Sequence, residues 1–427
     1  MRRRARAFRQ TFSSLKVPNY RLYFGGQSIS LAGTWMQMTA QAWLVLTLTH
    51  SSTDLGFVVA LQTLPVLLLA PYGGVIADRI DKRRLMVVLQ SVMGLQALTL
   101  GLLTVLGVVQ LWEICGLAVI LGLNNAFETP SRQAFVREMV GVDELRNAVT
   151  LNAVTQNAAR AVGPAIAGVL IATAGVGICF VINAASFIAV VSSLLLMDRT
   201  ALERSAPVAR ERGQLREGLR YATHTPQIAV PLAIMGLVGM LAYEFQVSLP
   251  VLARTTFHGG SEAYGFMTGA MGIGAVIGGL FTAARSRMGL RPMIIALVAF
   301  GVAILALVVS PSLVVVDIVL FFVGWASVSF VSIASSTIQL SAAPNMRGRS
   351  IALWQVAVQG TTPIGGPLIG WIIGESDPKV GLAVGGLACL VAAVGGVVLA
   401  RHFRVLHAGG ALHQLPSMNE EAPALSA

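Results

Sequence analysis

The chain has 427 residues, 55% of them hydrophobic and only 11% charged, with 30 Lys and Arg against 19 Asp and Glu for a formal net charge of +11. A mean hydropathy of +0.74 exceeds what a water-soluble core requires, which excludes a protein of the aqueous compartments and indicates a membrane protein.

In chain order, apolar stretches run near 22–48, 55–77, 85–107, 111–131, 147–173, 176–197, 228–252, 264–284, 292–310, 313–339, 350–374 and 380–400, twelve in all. Each has about 20 residues, enough to cross a hydrocarbon slab of roughly 30 Å at about 1.5 Å per residue. Lipid leaves exposed backbone without partners, and the period-2 alternation of a closed barrel is absent, so the crossings are helical. The longest polar interruption, 198–224, carries ten charges and divides the spans six and six. The domains expected are a basic N-terminus (1–21), a first bundle (22–197), a cytoplasmic linker (198–225), a second bundle (226–400) and a cytoplasmic, disordered tail (401–427).

Sorting the links alternately to two sides gives one side Arg2, Arg3, Arg4, Arg6, Arg9, Lys16, Arg21, the cluster from Arg79 to Arg84, the arginines of 132–146, 199–220 and 285–291, Arg347, Arg349, Arg401 and Arg404. The other side receives Arg254 and Lys379, and Arg160 lies within a span. By the positive-inside rule both termini are expected in the cytoplasm, and the basic balance needs no nucleic acid to explain it. The apolar run after the arginine-rich start is too long for a cleaved secretory signal and lacks its small-residue site. Cys115, Cys179 and Cys389 sit in apolar spans at spacings that suit neither a metal nor a disulfide, so no metal and no cofactor are expected.

The two halves resemble each other. DLGF at 54–57 recurs as AYGF at 263–266, and VGPAIAG at 162–168 recurs as GGPLIG at 365–370, at offsets of 209 and 203 residues. Because six helices are an even number, both halves enter from the same side and the repeat is parallel. The fold expected is an all-α membrane protein of twelve transmembrane helices in two pseudo-symmetric six-helix bundles, with a central seam near the midplane where a substrate site can open alternately to each side.

The second-to-third link, GGVIADRIDKRR at 73–84, has six charges among its last seven residues. Gly74, Asp78, Arg79, Asp81, Lys82 and Arg83 resemble the cytoplasmic loop signature of the major facilitator superfamily, G-x-x-x-D-R-x-G-R-R, departing from it at Asp81, where the family has Gly, and at Lys82, where it has Arg. Gly74 lets two helices approach, and Asp78 can meet a helix N-terminus or a guanidinium across the seam. The resemblance implies a latch between the second and eleventh spans in the outward-open state, with Arg347 and Arg349 as counterparts. The matching stretch of the second half, GGLFTAARSRMGLRP, has no acid, so the latch is expected on one side of the pseudo-symmetry only.

The resemblance covers roughly 15–400. NYRLYFGGQSISLAGTWMQMTAQAWLVLTLT is similar to the opening helix of the bacterial exporters that include the enterobactin exporter and macrolide-type efflux proteins. Gly163, Pro164 and Gly168 resemble the drug:proton antiporter signature G-x-x-x-G-P-x-x-G-G, with Ala159 and Ala167 replacing two glycines. The family implies the major facilitator fold, export from the cytoplasm across the cell membrane, and a cavity lined by the first, fourth, seventh and tenth spans.

Independently of the family, Gln27, Ser30, Thr34, Gln37 and Gln41 are spaced three, four, three, four, on one face of the first span. Such a stripe either lines a wet cavity or hydrogen-bonds to a neighbouring helix. Similar faces carry Asn124 with Glu128, then Asn152, Gln156 and Arg160, then Gln355, Gln359 and Thr362, and Ser332, Ser336 and Gln339 in the tenth span. Cavity-lining candidates are therefore Gln27, Ser30, Thr34, Gln37, Gln41, Asn124, Gln156, Gln355 and Gln359.

Charges inside spans cost several kcal/mol unless paired or wetted, which makes them the leading functional candidates. Glu244, between Tyr243 and Phe245, is the first candidate to carry a proton. Glu128 and Arg160 fall in the same half of adjacent spans and could form a pair that opens and recloses. Asp317 stands out among the acids near the external ends.

No G-x-x-x-x-G-K-[ST] loop and no large soluble domain are present, so an ion gradient remains as the power source, and protons suit lone carboxylates better than sodium does. All six histidines lie outside or at the rims of the spans, which speaks against an intramembrane enzyme. The polar, neutral stripe with Trp35, Met36, Met38, Met271 and Trp325 nearby suits a bulky amphipathic molecule. The function expected is a monomeric exporter of such small molecules in exchange for protons, with the bilayer as its solvent. An importer or facilitator of a neutral solute, or a receptor of the same fold, is the alternative.

Overall fold

The computed structural model describes residues 12–203, 214–284, 288–343 and 346–402, with the backbone alone at 70–79, 214–216, 218 and 401–402. The arginines of 2–9 and the tail expected to be disordered beyond residue 402 lie outside the described residues.

Helix α1 runs Pro18–Thr49, α2 Ser52–Arg79, α3 Lys82–Val105, α4 Leu111–Ala174 and α5 Val176–Leu195. A short amphipathic helix, α6 (Gln214–His224), precedes α7 (Pro226–Leu241), α8 (Phe245–Val251), α9 (Ser261–Ala284), α10 (Leu290–Val308), α11 (Leu313–Ser341), α12 (Arg347–Gln359), α13 (Thr362–Glu375) and α14 (Pro378–His402). Nine stretches of the described residues are long and apolar enough to cross a membrane. The 64 residues of α4 hold two crossings that meet at Gly141, whose φ of 68° suits a residue without a Cβ. The polar residues of α1 dilute its apolar character, and α12 with α13 is one crossing broken at 360–361. With α7 and α8 as one crossing broken at 242–244, the described residues cross twelve times.

The packing pattern repeats. In the first half α2 lies on the first arm of α4, α3 on α5 and on that same arm, and α1 on α5 and on the second arm of α4. In the second half α9 lies on α11, α10 on α14 and α11, and α7 on α14 and α12, the same arrangement one bundle later. The halves meet along α2 with α13 and along α9 with the second arm of α4, two seams that exchange under the same pseudo-two-fold axis. The repeated motifs build these seams. A Cβ on Gly56 of DLGF would strike the Gly366 carbonyl of GGPLIG, and one on Gly265 of AYGF would stand 2.7 Å from the Gly168 Cα of VGPAIAG. Small residues allow this approach, and in lipid close van der Waals contact rather than a hydrophobic force holds helices together.

The face bearing most arginines is called the basic face below. At the opposite face the halves are bonded: Ser52 Oγ donates to the Gly370 carbonyl at 2.7 Å and Ser261 Oγ to that of Gly168 at 3.2 Å. Arg254 donates to the Leu46 carbonyl at 2.9 Å and to His50 Nε2 at 3.1 Å, and Trp43 stacks on Tyr264 with centroids 6.3 Å apart. Seam contacts continue to Gly272 against Ala161 and Gly360 against Leu67, near mid-depth.

The fourth and fifth crossings differ from expectation. The polar link anticipated over 132–146 is helical to either side of Gly141. Phe135, Val136, Met139 and Val140 are buried there against Tyr20, Tyr23 and Met86, a second core at the basic end of the first bundle. The link is thus an amphipathic helical extension whose apolar side has somewhere to go.

Candidate translocation cavity

A cavity of about 400 Å³ lies between the halves at mid-depth. Its walls come from α1 (Gln27, Ser30, Leu31, Thr34, Trp35, Gln37, Met38), from α2 and α3 (Gln62, Thr63, Gln90, Met93, Gln96), from α4 (Asn125, Glu128, Thr129, Arg132, Gln156, Arg160), from Tyr243, Glu244 and Phe245 at the break of the seventh crossing, from Tyr264, Thr268 and Met271 of α9, and from Gln359 and Thr362. The first bundle supplies most of this wall. Among the described residues the tenth span, with Ser332, Ser336 and Gln339, supplies none, so the family expectation for that span is not met.

Of the expected lining residues, Gln27, Ser30, Thr34, Gln37, Gln156 and Gln359 are on the wall. Gln37 is there with its amide already engaged: it donates to Gln96 Oε1 at 2.9 Å and accepts from Asn183 Nδ2 at 2.6 Å, while Ser186 Oγ donates to Asn183. The stripe therefore does both things open to it, binding neighbouring helices deep in the bundle and facing the cavity nearer the basic end. Gln27 Oε1, by contrast, is buried with no hydrogen-bond partner. Three expectations are corrected. Gln41 sits one turn past Gln37, buried beyond the cavity's end. Asn124 points about 100° away from Asn125, into the bundle, where its Nδ2 is left unpartnered. Gln355 is exposed one turn nearer the basic face than Gln359.

The charged candidates are redistributed as well. Glu128 and Arg160 do not pair: Glu128 Oε1 accepts from Arg132 Nε at 3.0 Å, four residues on along the same helix, and from Gln90 Nε2 at 3.5 Å. Arg160 instead lies over the Trp35 ring, 5.3 Å from its centroid. Glu244 is 4% exposed at the helix break, packed beside Gly365, and its Oε1 has no hydrogen-bond partner. Asp317 is half-buried near the outer end of α11, also with an unpartnered Oδ1, and stands away from the cavity.

The loop signature falls at the basic end. Gly74, Asp78 and Arg79 are on α2, and their side chains lie outside the described residues. Asp81 caps α3, accepting from the Arg84 N–H at 2.9 Å. Lys82 forms a buried ion pair with Glu138 at 2.7 Å, and Arg83 donates to the Leu194 and Leu195 carbonyls at 2.6 and 2.8 Å. These two cations therefore fasten the first bundle to itself in this state. Arg349 pairs with Glu217 of α6 at 2.7 Å, and Arg347 is exposed. Gly163 packs on Ala32 and Trp35 of α1, and Gly168 on Ser261 and Gly265, so the antiporter-like motif is a close-approach surface on two sides.

Sequence reasoning missed Arg132, counted among the arginines of the link at 132–146, and passed over Glu138 and the amides Gln62, Gln90, Gln96 and Asn183. The four-residue spacing from Glu128 to Arg132 was a usable signal. The single amides in apolar spans were another, because lipid tolerates few of them without a role.

A family model described as transmembrane secretion effector matches residues 9–426. The staphyloferrin A transporter of Staphylococcus aureus is 29% identical over 258 residues, covering 60% of this chain and 64% of that protein, just under two thirds of its length. The multidrug efflux pump Tap of Mycolicibacterium fortuitum is 27% identical over 351 residues, 79% of this chain and 86% of Tap. The enterobactin exporter EntS of Salmonella typhi is 24% identical over 379 residues, 88% and 90% of the two chains. Among solved structures, the nucleoside transporter NupG superposes with a TM-score of 0.70 at 14% identity, over 90% of this chain and 98% of NupG, a likeness of fold.

Proposed function

The chain belongs to the transmembrane secretion effector family, a branch of the major facilitator superfamily, and on that footing we propose that it exports small amphipathic molecules, drug-like compounds or siderophore-type metabolites, in exchange for protons. The observation that carries this reading is the mid-depth cavity, walled by side-chain amides and aromatic rings, bonded shut at one face and flanked by two symmetry-related glycine seams. By the positive-inside rule the basic face is cytoplasmic, as are both termini, in the cell membrane. The state described is then the one that admits substrate from the cytoplasm.

Export follows when the two bundles rock about the cavity. The seams at Gly56 with Gly366 and at Gly168 with Gly265 part, the bonds of Ser52, Arg254 and Ser261 break, and the basic ends of α2 and α12 close on each other. Asp78 then comes within reach of Arg347 and Arg349, the latch that the signature at Gly74–Arg83 implies. Glu244 is the proton carrier: it sits at an unwound point of a crossing, its Oε1 accepts no hydrogen bond from the described residues, and it faces the substrate space, so its charge and a bound molecule compete for one site. Asp317 is a second acid outside the cavity. No cofactor is required, and each chain holds a complete cavity, as a monomer needs.

Flux of a dye panel into inverted vesicles, with and without an imposed pH gradient, tests the proposal. Gradient-driven accumulation is expected in the wild type. Glu244→Gln should lose about tenfold or more of the gradient dependence while still binding the dye, in line with removal of a proton site that acts only during coupling. Undiminished coupling in that variant removes Glu244 from the mechanism, and no flux of any panel member removes export.

A further inference from the structure

We propose that the transported molecule carries an acidic group, a carboxylate or a similar planar oxyanion beside an apolar or aromatic body, and that Arg160 on the face of Trp35 is its receptor. The inference rests on the export reading and names the substrate class for it.

Among the described residues two cations line the cavity, and they are not equivalent. Arg132 is neutralised by Glu128 at 3.0 Å. Arg160 makes no ion pair with any described acid, although a guanidinium held within a membrane span is costly unless a counter-charge or water offsets it. It lies over the Trp35 ring, 5.3 Å from its centroid, and near enough to the Tyr243 hydroxyl of the opposite bundle to interact with it electrostatically. Among the described residues the Arg160 N–H groups donate no hydrogen bond, and a guanidinium with unused donors pairs with a carboxylate in a two-pronged fork. Gln156, one turn earlier on the same helix, adds amide donors, and Tyr243 and Met271 supply apolar surface across the seam. Glu244 is the remaining acid of the wall, and it belongs to the opposite bundle without bonding to Arg160. The site thus has an unspent planar cation on one bundle and an aromatic platform under it, which a neutral solute or a cationic drug would leave unsatisfied.

Two xanthene dyes of similar shape and opposite charge test this: carboxyfluorescein and tetramethylrhodamine ethyl ester, with binding to the purified full chain in detergent read by fluorescence anisotropy. The wild type should bind the carboxylate dye at least about tenfold more tightly. Arg160→Gln should abolish that preference by weakening the anion alone, and Arg160→Lys should keep part of it, since the charge remains while the fork and the stack are lost. Absence of carboxyfluorescein binding to the wild type, a preference for the cationic dye, or equal weakening of both dyes by Arg160→Gln would each overturn the inference, and the wild-type preference decides the matter even if the variant misfolds. Flux of the same dyes in vesicles separates this claim from export itself. Arg160-dependent binding without flux would leave the anion site standing and remove the exporter, whereas flux of the cationic dye alone would do the reverse.

Discussion

The two bundles match within the membrane and differ at their basic ends. In the first, Lys82 and Glu138 pair with each side chain only 7% exposed, Arg83 holds the last carbonyls of α5, and a separate apolar core gathers Tyr20, Tyr23, Met86 and Phe135. Flanking segments are strapped to it: Ser14 Oγ donates to Asn147 at 2.7 Å, Asn19 and Asp198 exchange two bonds of 2.8 and 3.0 Å, and the Glu203 N–H donates to the Glu138 carbonyl. In the second, the corresponding fastenings among the described residues are the pair of Arg349 with Glu217, whose side chains are 26% and 58% exposed, a bond from the Ala343 N–H to the Tyr221 hydroxyl and one from the Gly289 N–H to Thr337 Oγ1 at 3.1 Å. Among the described residues the ion pair at the first bundle's basic end is thus buried and that at the second's is exposed. Lys82 and Arg83 of the charged link near residue 80 bond within their own bundle.

The largest effect that would break this contrast is at Lys82. Lys82→Met keeps the chain volume but removes the ammonium that faces the buried Glu138 carboxylate, and breaking a buried pair from one side costs about 3–5 kcal/mol. Adding Glu138→Leu should recover most of that loss, because an apolar pair of similar size is close to neutral in place of a buried ion pair. Chemical unfolding in detergent measures both. A loss below about 1 kcal/mol for Lys82→Met would rank the pair with exposed ones and erase the difference between the ends.

Within the membrane the expectation is equality. Gly56→Val and Gly265→Val each push a side chain into a facing helix at one of two symmetry-related seams. Overpacking of this kind costs about 1–3 kcal/mol, set here against the form closed at the opposite face, which shifts its population by roughly 5- to 150-fold. A cysteine in place of Thr268 on the cavity wall should react faster with an impermeant maleimide added from the opposite face in both variants, to a similar degree. A large effect in one variant and none in the other would mean that the halves are not equivalent even at the seams.

How much of this was legible in the sequence follows from the same division. Twelve crossings, the six-and-six split and the repeated motifs are written in apolar length and in glycines that must approach a neighbour, so they survive inspection of the fold. The break at 360–361 also has local marks, Gly360 and then Pro363 at the start of the next helix, although the stretch 350–374 reads as one span. The break at 242–244 has none, since Ala242, Tyr243 and Glu244 include neither Gly nor Pro. Gln37 and Gln27 share a helical face, and only the neighbours decide which bonds to Gln96 and Asn183 and which faces the cavity. Glu138 was hidden for a similar reason: an acid in a polar link looks solvated until a lysine from another helix is seen to be buried beside it.

The smallest effect concerns the second bundle's basic end. Glu217 meets Arg349 at 2.7 Å, a good distance, yet more than half of the Glu217 side chain faces solvent. Water and salt screen such a pair, and holding two long side chains together costs conformational entropy, so exposed pairs contribute about 0.2–1 kcal/mol. Glu217→Ala should therefore lower stability by less than about 1 kcal/mol, and the difference from the wild type should shrink when salt is raised from tens of millimolar to about 1 M, where the screening length falls to roughly 3 Å. Chemical unfolding at the two salt concentrations reads it directly. A salt-insensitive loss as large as that of Lys82→Met would mean that α6 is clamped to α12 as firmly as the first bundle is clamped to itself.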